Sequence, residues 1–255
     1  MAKKKRAKKT KRRVFIWIPV FLFLAALGYT GFFFLTLPDV TYLKNKNPGT
    51  TAMIEQRLNE AKSQKKKLVV RRHWVPFKQI PDFLKQAVRL SEDAAFYSHE
   101  GIDYFELKEA IKKNLKEGKK ARGGSTITQQ LAKNLYLSTE KSYFRKIKEF
   151  FIAKRLERHL SKNRIFSLYL NVIEFGRGVF GVGAASEFFF RKPLDKLSKI
   201  QMLRLAAVIP KPLRVTPLSN SRYLKWRANL LLDRMHRIKY VDDREYRRLK
   251  HYFAK

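Results

Sequence analysis

The chain has no cysteine. That excludes disulfides and thiolate metal sites, and it leaves the redox compartment open. The chain is also short of acids: 21 Asp and Glu stand against 57 Lys and Arg in 255 residues, a formal charge of +36. A protein so poor in negative charge seeks polyanions, whether nucleic acid, an anionic membrane surface or a phosphorylated substrate. Internal repeats and alternating strand patterns are missing, which leaves a mainly α fold class. The GxxxxGK[ST] spacing of a phosphate-binding loop is absent, so ATP is not supported.

One long run lacks charge altogether. Residues 14–37 are 24 residues without a single charged side chain, among them Phe15, Ile16, Trp17, Phe21, Leu22, Phe32 and Phe33. A helix of that length spans about 36 Å, against a hydrocarbon core of roughly 30 Å. The apolar part of a cleaved signal peptide is about 7–15 residues long, so the run reads as a retained transmembrane anchor. Residues 1–13 hold nine basic residues and no acid. The positive-inside rule places this tail in the cytoplasm and residues 38–255 outside, on a single-pass protein of the inner membrane.

The exported part divides into a tether and basic helix over 38–67 and a larger domain over 68–255. Pro38, Asn45, Pro48 and Gly49 mark the tether as turns, and 51–67 reads as a short helix. Residues 68–70 suit a brief strand. Residues 81–90 read as a helix with Pro81 in its first turn. Residues 103–118 form an amphipathic helix that Asp103 caps and Gly118 ends. Tyr104, Leu107, Ile111 and Leu115 make its apolar stripe, flanked by Lys108, Lys112, Lys113 and Lys116. Such a stripe either packs on the core or lies on an anionic bilayer.

Four segments carry candidate chemistry. The first helix runs into Ser91-Glu92-Asp93-Ala94-Ala95-Phe96-Tyr97-Ser98-His99-Glu100-Gly101. A carboxylate against aromatic walls is destabilised in its charged form and suited to proton transfer near neutral pH. The second is Gly123-Gly124-Ser125-Thr126-Ile127-Thr128-Gln129-Gln130-Leu131-Ala132-Lys133-Asn134. Here Thr126 and Gln129 form a capping box, and free N–H groups at a helix start favour phosphate. The third is Arg145-Lys146-Ile147-Lys148-Glu149, in a helix starting near Ser142 with Phe144, Ile147 and Phe151 as its buried stripe. Arg145 and Glu149 share a face, either as a surface ion pair or as a carboxylate beside a cationic clamp. The fourth, Tyr169-Leu170-Asn171 followed by Gly176, reads as scaffold under a Ser161 cap. A last helix ends at Ala206-Ala207-Val208-Ile209-Pro210.

In this order and spacing the segments resemble the family 51 glycosyltransferases, the peptidoglycan glycosyltransferases. The matches are Glu92-Asp93-x-x-Phe96-x-x-His99-x-Gly101, Gly124-Ser125-Thr126-Ile127-x-Gln129-Gln130-Leu131-x-Lys133-Asn134, Arg145-Lys146-x-x-Glu149, Tyr169-Leu170-Asn171 with Gly176, and Ala206-Ala207 with Pro210. They cover roughly residues 68–235. The chain leaves no room for a transpeptidase domain, which points to the monofunctional biosynthetic form. Three positions depart from the pattern: Ser167 and Gln201 stand where the family usually has Glu, and Arg204 interrupts an apolar run.

The resemblance implies a helical, lysozyme-like fold with a cleft over the membrane. It implies transfer from a growing chain bearing a lipid pyrophosphate to the GlcNAc 4-hydroxyl of lipid II, with inversion. Glu92 is then the general base, and Glu149 lies beside the leaving pyrophosphate. Lys133, Arg145 and Lys148 neutralise phosphate, while Ser125, Thr126, Gln129, Gln130 and Asn134 hold sugar or phosphate oxygens. Both acids are expected to open into one cleft. A divalent ion such as Mg²⁺ bridging the pyrophosphate is compatible with this, although the sequence shows no self-sufficient metal site. Partners are the lipid II substrate, the nascent glycan strand, the membrane and other cell-wall synthesis or division proteins. Three rivals remain: a lytic hydrolase, which would need no phosphate site; a charged scaffold; and a nucleic-acid binder, which has no motif here and sits on the wrong side of the membrane.

Overall fold

The computed structural model describes the backbone of residues 2–117, 124–137 and 142–254, with side chains from Pro19 onward within them except Asn114, Leu115 and Glu117. The chain forms two compact units, Met1–Asp39 and Val40–Lys255. The first is one helix, α1 (Ala2–Leu35), with Pro19 inside it. Phe21, Leu22, Phe23 and Leu24 on α1 are exposed. Among the described residues no helix is long and apolar enough to cross a membrane. The expected 14–37 span begins at Val14, and its first five side chains, with all the basic residues before them, lie outside those described.

The second unit is mainly helical. Its helices are α2 (Ala52–Ser63), α3 (Asp82–Glu92), α4 (Tyr104–Glu117), α5 (Ile127–Tyr136), α6 (Tyr143–His159), α7 (Lys162–Val172), α8 (Val182–Phe190), α9 (Lys199–Val208), α10 (Arg222–Arg237) and α11 (Asp243–Ala254). Caps define many of the starts. Thr51, Ser142, Ser161, Ser198 and Ser221 each accept a hydrogen bond from the backbone N–H three residues on, which satisfies a donor that the helix itself leaves open.

α7 is the centre of the core. Ile165, Leu168, Tyr169, Leu170 and Val172 are wholly buried on it, as befits a helix covered on every side. Burying one such aliphatic side chain contributes about 1.5–3 kcal/mol. α5 packs between α6 and α7, while α3 lies against α9 and α10. These two groups of helices carry the functional residues described below.

A small sheet closes one side in the order β1 (Arg71–Arg72), β3 (Val179–Phe180), β2 (Glu174–Gly176). β1 runs parallel to β3 with Arg71 opposite Val179, and β2 runs antiparallel to β3 with an irregularity between Glu174 and Gly176. The expected strand at 68–70 therefore sits too early. Pairing begins where the Arg71 N–H reaches the Gly178 carbonyl at 2.7 Å, a long-range partner that local β-propensity cannot reveal. Gly181 adopts φ +82, and a Cβ there would lie 2.6 Å from the Asn171 carbonyl oxygen, so this turn requires glycine.

Two apolar stripes face outward. On α4, Tyr104, Leu107 and Ile111 are exposed, while Leu115 and the expected stop at Gly118 lie outside the described residues. On α6, Phe144 and Ile147 are exposed and Phe151 is half-buried, so they are not the buried stripe that spacing suggested. The side of α6 turned inward carries Glu149, Ile152, Ala153 and Leu156. Helical period fixes which face is apolar, but not what covers it.

Candidate active site

α3 ends at Glu92 because Asp93 leaves the helix with φ −163. The Asp93 carboxylate then ties two segments together. Its Oδ2 accepts the Ile127 N–H at 2.9 Å, at the start of α5, and both oxygens lie 3.0 Å from His99 Nε2. His99 Nδ1 accepts the Gly101 N–H in turn. A carboxylate at a helix N-terminus meets open N–H donors and the positive end of the helix dipole. Asp93 is thus a structural latch that sets Glu92 beside α5.

The Glu92 carboxylate is gripped at both oxygens. Ser91 Oγ donates to Oε1 at 2.7 Å, and Gln130 Nε2 donates to Oε2 at 3.1 Å. Gln130 is itself oriented, because the Tyr169 hydroxyl donates to its Oε1 at 3.1 Å. Burial, then the negative charges of Glu92 and Asp93, push the Tyr169 hydroxyl well above its ordinary range, so it stays a donor. On the far side, Arg227 of α10 donates to Ser91 Oγ at 2.8 Å and lies 3.8 Å from Glu92 Oε1.

Glu149 is the second acid, and it is buried, 3 % exposed. Arg145 Nη1 donates to its Oε2 at 3.0 Å, and the Lys146 ammonium donates to Oε1. Lys146 also reaches Ser125 Oγ at 3.1 Å, so α6 and the residue before the α5 cap meet there. The carboxylate is therefore neither on an open surface nor left unpaired. Lys148 points elsewhere: its ammonium lies over the Phe144 ring, 5.3 Å from the centroid.

Lys133 of α5 joins the two acids electrostatically. Burial lowers its pKa below the ordinary lysine value, and the charges of both Glu149 and Glu92 act in the opposite direction while Arg145 and Lys146 add to the lowering. One ammonium thus feels both carboxylates, which lie 57 positions apart in sequence on α3 and α6.

Other expected ligand residues are engaged within the protein. Thr126 Oγ1 donates to the Gly101 carbonyl at 2.6 Å and accepts the Gln129 N–H, and Gln129 Oε1 accepts the Thr126 N–H, which completes the capping box. Ser125 is exposed and Asn134 is buried on α5. The departures at Ser167, Gln201 and Arg204 have structural partners. The Ser167 carbonyl accepts from Asn171, Gln201 caps α9 with Ser198, and buried Arg204 donates to the Pro217 and Ser219 carbonyls at 2.5 and 2.6 Å. A cavity of about 470 Å³ lies against Gln201 and Arg204, and no carboxylate lines it. Among the described residues, no three His, Asp or Glu side chains come together as a metal site.

Spacing alone misses Ser91, Lys146 and Arg227. Ser91 and Lys146 stand inside motifs and could be suspected from adjacency. Arg227 lies 136 positions from Ser91, and nothing local marks it.

A family model described as Transglycosylase matches residues 58–236. The chain is 40 % identical over 227 residues to a biosynthetic peptidoglycan transglycosylase of Herminiimonas arsenicoxydans, covering 89 % of this chain and 97 % of the relative. It is 39 % identical over 227 residues to the protein of that name from Janthinobacterium sp. (strain Marseille), with the same coverage. To the one from Chromobacterium violaceum it is 43 % identical over 195 residues, 76 % of this chain and 86 % of the relative.

Proposed function

The chain belongs to the Transglycosylase family, and on that premise we propose that it is a peptidoglycan glycosyltransferase, building glycan strands of the cell wall from lipid II. The observation that supports the mechanistic reading is that both acids are tied to α5: Gln130 donates to Glu92, and Lys146, which clasps Glu149, reaches Ser125 just before the helix. It supports a reading in which an acid suited to proton abstraction and a cation-rich leaving-group region share one site.

In this reading Glu92 takes the proton from the acceptor 4-hydroxyl as that oxygen bonds to the donor sugar C1. The bond from C1 to the pyrophosphate oxygen breaks, the lipid pyrophosphate departs, and the configuration inverts. No covalent sugar intermediate is needed. Lys133 and Arg145 meet the phosphate charge, with Lys146 at the same edge, while Lys148, over the Phe144 ring, would have to turn to join them; fixed cations in a dry site stabilise developing charge strongly. Glu149, clasped by Arg145 and Lys146, holds those cations in place. A divalent ion, where one takes part, would come with the pyrophosphate. Ser125, Thr126, Gln129, Gln130 and Asn134 are read as the residues nearest the sugar and phosphate oxygens, with Gln130 acting chiefly on Glu92. The helical layers are read as the lysozyme-like fold of this family, with 68–255 as its catalytic domain.

Localisation follows from the same reading. Residues 14–37 are the membrane anchor, residues 1–13 the cytoplasmic tail, and the enzyme works outside the inner membrane. The outward stripe of α4, with Lys108, Lys112 and Lys116 beside it, suits contact with an anionic bilayer, where lipid II resides. Other cell-wall or division proteins remain partners by proposal alone.

The test is direct. Detergent-solubilised protein is incubated with labelled lipid II and, separately, with finished sacculi. A lysozyme-sensitive polymer from lipid II is expected, with no release from sacculi. Solubilisation of sacculi without polymer would replace this reading with a lytic enzyme.

A further inference from the structure

Glu92 occupies an awkward place for an ionised base. It is the last residue of α3, where the open carbonyls and negative end of the helix dipole disfavour a carboxylate. Something must offset that. Four ionisable side chains from the surrounding helices act on it: Arg227 and Arg234 from α10, Lys133 from α5 and Tyr169 from α7. α9 contributes only the Ala206 carbonyl, 3.4 Å from Ser91 Oγ.

Arg227 is placed differently from the others. Its Nη2 donates to Ser91 Oγ at 2.8 Å, and the Ser91 hydroxyl donates onward to Glu92 Oε1 at 2.7 Å. A hydroxyl has one hydrogen. When the guanidinium occupies a lone pair of the oxygen, that hydrogen turns to the carboxylate, and each bond of the chain strengthens the next. The guanidinium is also close enough to Glu92, at 3.8 Å, to favour its charge directly. Two turns further along the same face of α10, Arg234 Nη1 donates to the Leu90 carbonyl at 2.7 Å, so α10 meets the end of α3 at two points.

We propose that Arg227, acting through the Ser91 hydroxyl, is a positioning residue that holds the Glu92 carboxylate aimed for proton abstraction. The inference rests on Glu92 being the base, and the experiment separates the two. Polymerisation of labelled lipid II by the full chain in detergent is followed from pH 5 to pH 9 for wild type, Glu92→Gln, Arg227→Met, Arg227→Lys and Ser91→Ala. Arg227→Met is expected to lower kcat about 10- to 100-fold, with little change in KM. Its acidic limb of kcat/KM should move up by about one pH unit. Arg227→Lys restores part of kcat and most of the limb position, since it returns charge without the fork. Ser91→Ala removes one hydroxyl only and shifts the limb in the same direction by less.

Several results overturn the proposal. One is an unmoved limb in Ser91→Ala together with wild-type kcat in Arg227→Lys. Another is a fall in kcat for Arg227→Met that tracks a lower melting temperature with the limb unmoved, which marks Arg227 as structural. Should Arg227→Met fail to fold, Ser91→Ala and Arg227→Lys decide the matter alone. If Glu92→Gln itself retains polymerisation, the base assignment falls first and Arg227 has nothing to position.

Discussion

Glu92 and Asp93 are neighbours in the chain and serve different ends. Asp93 is committed to His99 and the Ile127 N–H, whereas Glu92 faces Gln130 and Ser91. As the proposed base, Glu92 should be irreplaceable by its amide. Glu92→Gln keeps the shape and removes the base, so polymer formation should fall by about 10²–10⁴-fold while lipid II binding, measured by fluorescence anisotropy, persists. A variant with half of wild-type turnover would remove Glu92 from that role. Lys133 offers a second prediction, on stability. Its folded pKa is lowered by burial from the ordinary 10.5. Below the folded value both states carry the charge, and burial opposes folding. Between the folded value and 10.5 the unfolded chain holds more protons, so stability rises with pH through that window. Lys133→Met should therefore raise the melting temperature at neutral pH and flatten this rise, while polymerisation drops about 100-fold. A lower melting temperature would refute the burial argument. The acid pair was legible in the sequence because motif order carries it. Arg145 pairs with Glu149 as its spacing suggests, and Lys146 joins it, since i,i+3 and i,i+4 spacings both share a face, whereas Lys148, expected at the phosphates, lies over Phe144.

At the scale of elements, α2 packs Met53 and Ile54 against Phe180 of the sheet and is tied to it by a buried ion pair. Arg57 Nε and Nη2 donate to the Glu174 carboxylate at 3.0 and 2.9 Å, at the first residue of β2, and both side chains are largely buried. Arg57→Ala leaves a buried carboxylate without its partner and should cost about 3 kcal/mol in urea unfolding. A loss under 1 kcal/mol would show that the pair is dispensable. Helix starts were the most readable feature. Thr51, Ser142 and Ser161 cap the helices that spacing assigned to them, because capping is local chemistry. The strand was misplaced because its partner, β3, lies more than a hundred residues away. The stripes of α4 and of the first turns of α6 were visible as stripes, but their outward direction depends on neighbours that periodicity does not encode.

For the whole molecule, charge and exposed apolar surface point the same way. With a formal charge of +36 and Tyr104, Phe105 and Ile111 exposed on α4, the enzyme should rest α4 on anionic lipid. In nanodiscs, hydrogen exchange of α4 should slow when phosphatidylglycerol replaces phosphatidylcholine, and high salt should reverse part of the effect. Ile111→Asp should abolish the slowing without loss of fold, because the side chain is already exposed. Equal exchange in both lipids would dissociate α4 from the bilayer. The latch at Asp93 has a further consequence, for compliance. The end of α3 is bolted to the start of α5 by Asp93, to its middle by Gln130, and to α10 by Arg227 and Arg234. α6 meets the same site through Glu149 and Lys146, while Tyr143 and Ile147 on its first turns are exposed. The two edges therefore differ in stiffness. On the proposed roles, the edge that removes the proton is the more rigid, and the give a lengthening polymer needs as it slides is expected from the edge that releases the pyrophosphate.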